Sequence, residues 1–300
     1  MTHTDHETIA MNVFLNGEMM PIGMARVSVQ DRGFQFGDGV YEYLPVYSRR
    51  PFRMAEHLTR LKASLAALQI ANPNEDARWG EIIRQVIAAN LWDDQGIYLQ
   101  ITRGVAPRDH AFPKGIKPTV YVCASALSTP SREQIDQGVA AITFDDFRWL
   151  RCDIKSTALL ASCMLRDLAV QKGCVETILL RDGFLTEAAA SNVMIVKNGQ
   201  VLAPPKSHLM LAGITYDVVL ELMEKSGVPH SVRPIKEEEL RAADEVWLTS
   251  SSKEVLAVCR LDEHPVGNGP AAGRPGPFFR RVHALYQEYK TTVMRASLHV

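Results

Sequence analysis

Trp149-Leu150-Arg151-Cys152-Asp153-Ile154-Lys155-Ser156 places one lysine between an aromatic-apolar run and a segment rich in helix formers. Upstream, Ile142 to Leu150 mixes β-branched, aromatic and polar residues, as a half-buried strand running into a bend would. Downstream, the stretch from Ser156 and Thr157 to Gly173 starts with capping residues and stops at glycine, which predicts a helix over 156–173. Lys155 is thereby expected just outside a helix N-terminus. There the positive end of the helix dipole disfavours a second cation and makes a neutral amine easier to keep. A neutral lysine amine attacks carbonyls, which is what a Schiff base requires. Taken alone such a lysine is ordinarily a solvated surface cation, so other residues must decide.

The chain of 300 residues is long enough for two domains of ordinary size, each with its own core. A formal net charge of −1 gives no global field for nucleic acid or an anionic membrane, so any anion must be held by a local site. Five scattered cysteines without a C-x-x-C pair suggest neither a disulfide framework nor a zinc site and fit a reducing cytoplasm. No apolar run approaches a membrane span, and the first residues lack the basic start and apolar centre of a signal peptide. His3 and His6 fall in a segment that reads as a loose tail. Neither G-x-G-x-x-G nor G-x-x-x-x-G-K-[ST] occurs, so nucleotide binding is not indicated.

Met11 to Pro21 reads as two strands joined at Asn16-Gly17, a hairpin signal. A loop with three glycines over 28–39 leads to a strand at Val40 to Tyr47. Leu58, Leu61, Leu65 and Leu68 form one stripe of an amphipathic helix over 56–68, and a second helix is expected over 79–90. Strands follow over 96–103 and 118–126. After a polar, proline-containing stretch come strands near 139–144, 176–181, 191–197, 200–203, 232–234 and 245–249, with helices over 215–226 and 278–289. The expected class is α/β (mixed α+β) in two domains with a cleft between them. The expected boundaries are a flexible tail over 1–10, a smaller domain over 11–127, a linker over 128–134, a larger domain with Lys155 over 135–290, and a tail over 291–300.

Several residues outside the lysine segment are separate candidates for holding an anion or a ring nitrogen. Arg60, between Leu58 and Leu61 on its helix, can clamp a phosphate bidentately. In Ala212-Gly213-Ile214-Thr215, a glycine precedes a helix start with free N–H groups and a hydroxyl, and Thr249-Ser250-Ser251-Ser252 adds hydroxyls at a strand end. Glu187, after the turn Asp182-Gly183, can keep a pyridine nitrogen protonated. Arg108 and His110, two apart on a loop, can grip one carboxylate. Each has an ordinary reading as a surface charge or polar turn.

In order along the chain, these residues resemble the fold type IV pyridoxal-phosphate enzymes, the group of branched-chain and D-amino-acid transaminases and aminodeoxychorismate lyase. The likeness runs from about Met11 to Tyr289 and is nearest to the D-amino-acid transaminases. Asp31-Arg-Gly-Phe-Gln-Phe-Gly-Asp-Gly-Val-Tyr-Glu42, Thr102-Arg-Gly-Val-Ala-Pro-Arg-Asp-His110 and Trp149 to Ser156 carry it. The resemblance implies pyridoxal 5′-phosphate on Lys155, Glu187 at the pyridine nitrogen, and Arg60 on the phosphate. It implies Ile214, Thr215 and Ser251 as further phosphate contacts and Leu211 packed on the ring. Tyr41, Arg108 and His110 would trap the carboxylate of a D-amino acid, with a 2-oxo acid as acceptor, in a cytoplasmic homodimer. One departure stands out: the family's serines after the glutamate are Ala188-Ala189-Ala190 here, which puts hydroxyl contacts at Ala189 and Ala190 in doubt. Transamination of branched-chain L-amino acids or (R)-amines shares the cofactor residues and stays open. A serine hydrolase built on Ser250-Ser-Ser-Lys253, without its companion motifs, and a non-catalytic binding module are the remaining readings.

Overall fold

The computed structural model describes residues 11–295, so the tail expected over 1–10, with His3 and His6, lies outside the described residues. Two units divide the chain: one contains the residues up to Leu127 together with Lys155–Ala158, the other Ser128–Ile154 and the residues from Leu159 on.

In the first unit, β1 (Asn12–Leu15) and β2 (Glu18–Pro21) form the hairpin that Asn16-Gly17 predicts. The expected loop over 28–39 contains a short helix, α1 (Arg32–Phe36). Asp31 caps it by accepting from Gly33 N at 2.8 Å, and Gly37 ends it at φ 66°. Then come β3 (Gly39–Tyr47), β4 (Arg50–Pro51), α2 (Met54–Ala67), α3 (Asp76–Ala88), β5 (Gln95–Thr102) and β6 (Thr119–Ala126). The strands make an antiparallel sheet in the order β2-β1-β6-β5-β3-β4. On β3, Val40, Glu42, Leu44 and Val46 point under α2, while Tyr41 and Tyr43 lie half-buried on the other face. Leu58, Leu61 and Leu65 of α2 are buried as their spacing predicts, at about 1.5–3 kcal/mol each for such a side chain.

The segment after Ile154 departs from expectation. No helix begins at Ser156; α5 runs over Leu160–Gln171 in the second unit. Ser156 bridges Val40, Thr157 N donates to Gly39 O at 2.9 Å, and Thr157 Oγ1 donates to Gly37 O at 2.9 Å. The groups read as helix caps are therefore taken up by β3 and the turn before it, which makes Lys155–Ala158 part of the first unit instead of the C-terminal one.

The second unit contains α4 (Arg132–Gln137), β7 (Val139–Asp145), α5, β8 (Glu176–Arg181), β9 (Phe184–Ala188), β10 (Asn192–Lys197) and β11 (Gln200–Ala203). There follow α6 (Ile214–Lys225), β12 (His230–Val232), α7 (Glu237–Arg241), β13 (Glu245–Ser250), β14 (Glu254–Leu261), β15 (His264–Pro265) and α8 (Pro277–Tyr289). Its sheet has the order β12-β11-β10-β13-β14-β7-β8-β9, with β15 on β14. The stretch read as a linker carries α4, because Ser131 and Gln134 form a reciprocal capping box. Strands β9 and β14 were not expected from the sequence, and β9 carries Glu187. The tail expected from 291 begins instead with a π-helical turn, Lys290–Met294, whose Met294 is buried. Val193, Ile195, Val246, Leu248, Leu256 and Val258 form the centre of the core.

Buried Glu245 caps α8 from β13: its carboxylate accepts from Phe278 N at 3.0 Å, Phe279 N at 2.8 Å and Trp247 Nε1 at 2.9 Å. Glu245→Ala leaves three donors without an acceptor and should cost about 2–4 kcal/mol in chemical denaturation; a loss below about 0.5 kcal/mol would contradict this capping role.

Candidate active site

In the first unit, Lys155 is fixed by its backbone on both sides. Its N–H donates to Ser64 Oγ of α2 at 3.2 Å, and its carbonyl accepts from Tyr41 N of β3 at 2.9 Å. Its Nζ stands over the Tyr41 ring, 4.2 Å from the centroid. The expected helix dipole does not begin beside the lysine; an aromatic face does.

One residue along β3, on its other face, Glu42 is fully buried. Arg60 grips it with a forked pair, Nε to Oε1 at 2.9 Å and Nη2 to Oε2 at 2.8 Å, and His57 Nδ1 meets Oε2 at 2.7 Å. Burial works against the Glu42 charge, but Arg60 and His57 outweigh it and hold the carboxyl down at about 2. Burial also lowers the His57 pKa, so the ring is neutral and Nδ1 carries the proton given to Glu42. Arg60, expected as a phosphate clamp, has Nε and Nη2 bonded to Glu42, and neither Glu42 nor His57 is among the expected site residues. Their signal was present: Glu42 occupies an inward position between Val40 and Leu44, and His57 and Arg60 are three apart on α2.

In the second unit, Glu187 lies within β9 and is buried. Arg148 Nη1 donates to Oε1 at 2.6 Å, while Leu211 N at 3.1 Å and Asn192 Nδ2 at 3.2 Å donate to Oε2. Burial pushes this carboxyl up to about 7, against the downward pull of Arg148 and Leu211 N. Such a group is short of positive charge and suits a protonated ring nitrogen. Leu211, expected as a packing residue, also contributes its backbone N–H here.

Asn192 ties Glu187 to a second feature. Its Nδ2 also donates to Leu211 O at 2.9 Å, and its Oδ1 lies where a Cβ on Gly213 would be, 2.1 Å from that position, so only glycine fits before α6. Asn192 is in register with Thr249 across β10 and β13. Among the described residues, the N-terminus of α6 has no side-chain cap, and its Thr215 Oγ1 is buried without a partner, as is Thr249 Oγ1. Two orphaned hydroxyls and an uncapped helix start are the donor set that a phosphate takes up. Ile214 opens that helix and Ser251 sits in the turn after β13. Ala189 is buried with its N–H on Thr177 O, and Ser191 Oγ donates to Glu176 Oε2 at 2.8 Å, so the hydroxyl after the alanines is used structurally.

The serine hydrolase reading lacks geometry. Ser250 Oγ accepts from Lys253 N at 3.0 Å in a turn, and Lys253 Nζ pairs with Glu176 at 3.0 Å instead of serving the serine.

Arg108 and His110 are exposed and flank one ring: the Arg108 guanidinium is 5.2 Å and the His110 ring 5.6 Å from the Phe36 centroid. Their loop is not extended strand. Buried Arg32 positions it by donating to Asp109 O at 2.5 Å and His110 O at 3.5 Å while pairing with Asp38 at 2.7 Å. Arg32 was missed as a site residue.

The family model described as amino-transferase class IV matches residues 39–261. The chain belongs to this family. D-alanine aminotransferase of Bacillus licheniformis is 39% identical over 92% of this chain and 96% of its own, and that of Staphylococcus haemolyticus 36% over 92% and 97%. Among solved structures, the T.th. branched-chain amino acid aminotransferase with pyridoxamine 5′-phosphate is similar at TM-score 0.86 and 26% identity, covering 94% of this chain and 95% of that one. The Escherichia coli branched-chain enzyme is similar at TM-score 0.83 and 26% identity, covering 95% and 94%.

In this class IV aminotransferase, Glu187 has a consequence that unliganded protein reveals. Its carboxyl titrates near the ordinary 4.5 when unfolded and near 7 when folded, so between these values the folded chain binds more protons. Stability is therefore lost as pH rises through that window. Chemical denaturation of the unliganded wild type and Glu187→Gln at about pH 5 and pH 7.5 should show the wild type losing about 2–3 kcal/mol relative to the variant. A difference independent of pH would contradict the raised value.

Proposed function

We propose that this aminotransferase uses pyridoxal 5′-phosphate, held on Lys155, to move the amino group of a D-amino acid to a 2-oxo acid, as in D-alanine plus 2-oxoglutarate giving pyruvate plus D-glutamate. The observation that carries the reading is the 36–39% identity to D-alanine aminotransferases over 92% of the chain. Arg108 and His110, gathered around Phe36, support a site for the substrate carboxylate.

The residues fit the cofactor. Thr215 and Thr249 offer unpartnered buried hydroxyls, and the start of α6 at Ile214 offers N–H groups, for a phosphate. Arg60, oriented by Glu42, adds positive charge for it, and Ser251 a further hydroxyl. Glu187 would accept a hydrogen bond from the pyridine nitrogen, and Leu211 would pack on the ring. When bound, pyridoxal phosphate supplies the electron sink that makes the donor's Cα–H acidic.

Lys155 has two tasks: its Nζ is the attachment point, and as a free amine it is the base that takes the Cα proton. Its backbone bonds to Ser64 and Tyr41 limit where that Nζ can reach. Tyr41, Arg108 and His110 hold the carboxylate, which fixes the face of Cα offered to the base. Handedness then follows from the placement of one carboxylate relative to one amine.

The exposed Phe147, Trp149 and Leu150 of the second unit support the reading of a homodimer. Unpaired cysteines suit the reducing cytoplasm.

A donor panel with 2-oxoglutarate tests the reading. D-Alanine should be turned over well ahead of L-leucine and (R)-1-phenylethylamine; preference for L-leucine would favour a branched-chain activity, in line with the solved relatives. Arg108→Ala should raise KM for D-alanine about 10- to 100-fold, with a smaller effect on kcat. Equal losses for D-alanine and for an amine without a carboxylate would count against the trap.

A further inference from the structure

Behind Glu187 stands a group of buried charges to which no part of the transamination has yet been assigned. Arg148, in the bend after β7, divides its guanidinium between two carboxylates. Nε and Nη2 each reach Asp146 at 2.9 Å, and Nη1 reaches Glu187 at 2.6 Å. Asp146 has further partners in Arg181 at 3.2 Å and Thr186 Oγ1 at 3.1 Å, the latter beside Glu187 in β9. Glu187, by contrast, has Arg148 as its one ion-pair partner among the described residues. Cys152, the other titratable group near this pair, is a thiol pushed up to about 11 by burial and brings no charge.

A carboxyl buried without a cation stays neutral. A neutral Glu187 would hold its own proton toward a ring nitrogen, whereas an ionised one draws the proton onto that nitrogen. The planar fork of an arginine also fixes direction, since two of its donors are anchored on Asp146 while the third points at Oε1. Resting on the proposed function, we infer that Arg148 is a positioning residue that favours the ionised form of Glu187 and aims it, so that the proton affinity of the cofactor's ring nitrogen is set by the Asp146–Arg148–Glu187 chain and not by Glu187 alone.

Cofactor affinity in a double-mutant cycle tests this on the full chain, stripped of cofactor and titrated with pyridoxal 5′-phosphate. The four proteins are wild type, Arg148→Met, Glu187→Gln and the double variant. Arg148→Met should weaken binding at least about 10-fold when Glu187 is present and less than about 3-fold when it is Gln. An equal loss in both backgrounds would mean that Arg148 merely braces the fold, and no loss in either would mean it does not act on the site; both overturn the inference. Asp146 keeps Arg181 and Thr186 in these variants. Should circular dichroism nevertheless show Arg148→Met unfolded, Arg148→Lys, which keeps the charge and loses the fork, takes its place with the same pattern expected and the same results overturning it. Wild-type protein that fails to bind the cofactor would sink the proposed function itself, whereas binding without the coupling pattern sinks only the role of Arg148.

Discussion

Three backbone contacts attach the Lys155 segment to the first unit, and the chemistry proposed for the chain depends on them. Tyr41 N donates to Lys155 O, Lys155 N donates to Ser64 Oγ, and Thr157 N donates to Gly39 O. A lysine side chain is long and loses much rotamer freedom when ordered. Fixing its backbone at both peptide groups leaves only the side-chain torsions to be set, and the Tyr41 ring lies directly under the amine. The same contacts explain why the chain leaves the second unit for only four residues, Lys155–Ala158, before returning at Leu159.

Two buried carboxylates show how neighbouring cations set opposite electrostatic states. Glu42 is met by the full fork of Arg60 and by His57, and is held at about 2. Glu187 shares Arg148 with Asp146 and rises to about 7. Both lie in low-dielectric surroundings where an unmatched charge is costly. The difference lies in the charge of the donors and not in their number: Glu42 takes two arms of the Arg60 guanidinium, whereas Glu187 takes one arm of a guanidinium that also serves Asp146, together with two neutral amides. Glu187 retains an appetite for positive charge, which matches its proposed place at a pyridine nitrogen.

Much of this was legible in the sequence. The hairpin at Asn16-Gly17, the leucine stripe of α2 and most strands follow from local turn chemistry and periodicity. The family resemblance points to Lys155, Glu187, Arg60 and the Arg108–His110 pair as candidates. What failed was long-range: Ser156 and Thr157 look like helix caps, and only the β3 backbone, more than a hundred residues earlier, diverts them. Strand β9 gives little signal because Glu187 and Ala188 are poor strand formers in a short segment that is paired with β8. Arg148 and Asp146 gave no signal, since two charges two residues apart in a polar bend are usually solvated, and their burial becomes visible only with the fold.

Chemical trapping examines the attachment at Lys155 most directly. Reducing the cofactor-loaded protein with borohydride, digesting it and locating the phosphopyridoxyl group by mass spectrometry should find the label on the peptide that contains Lys155, at Lys155 itself. A label on another lysine, or protein that binds the cofactor yet takes no reducible label, would contradict the account.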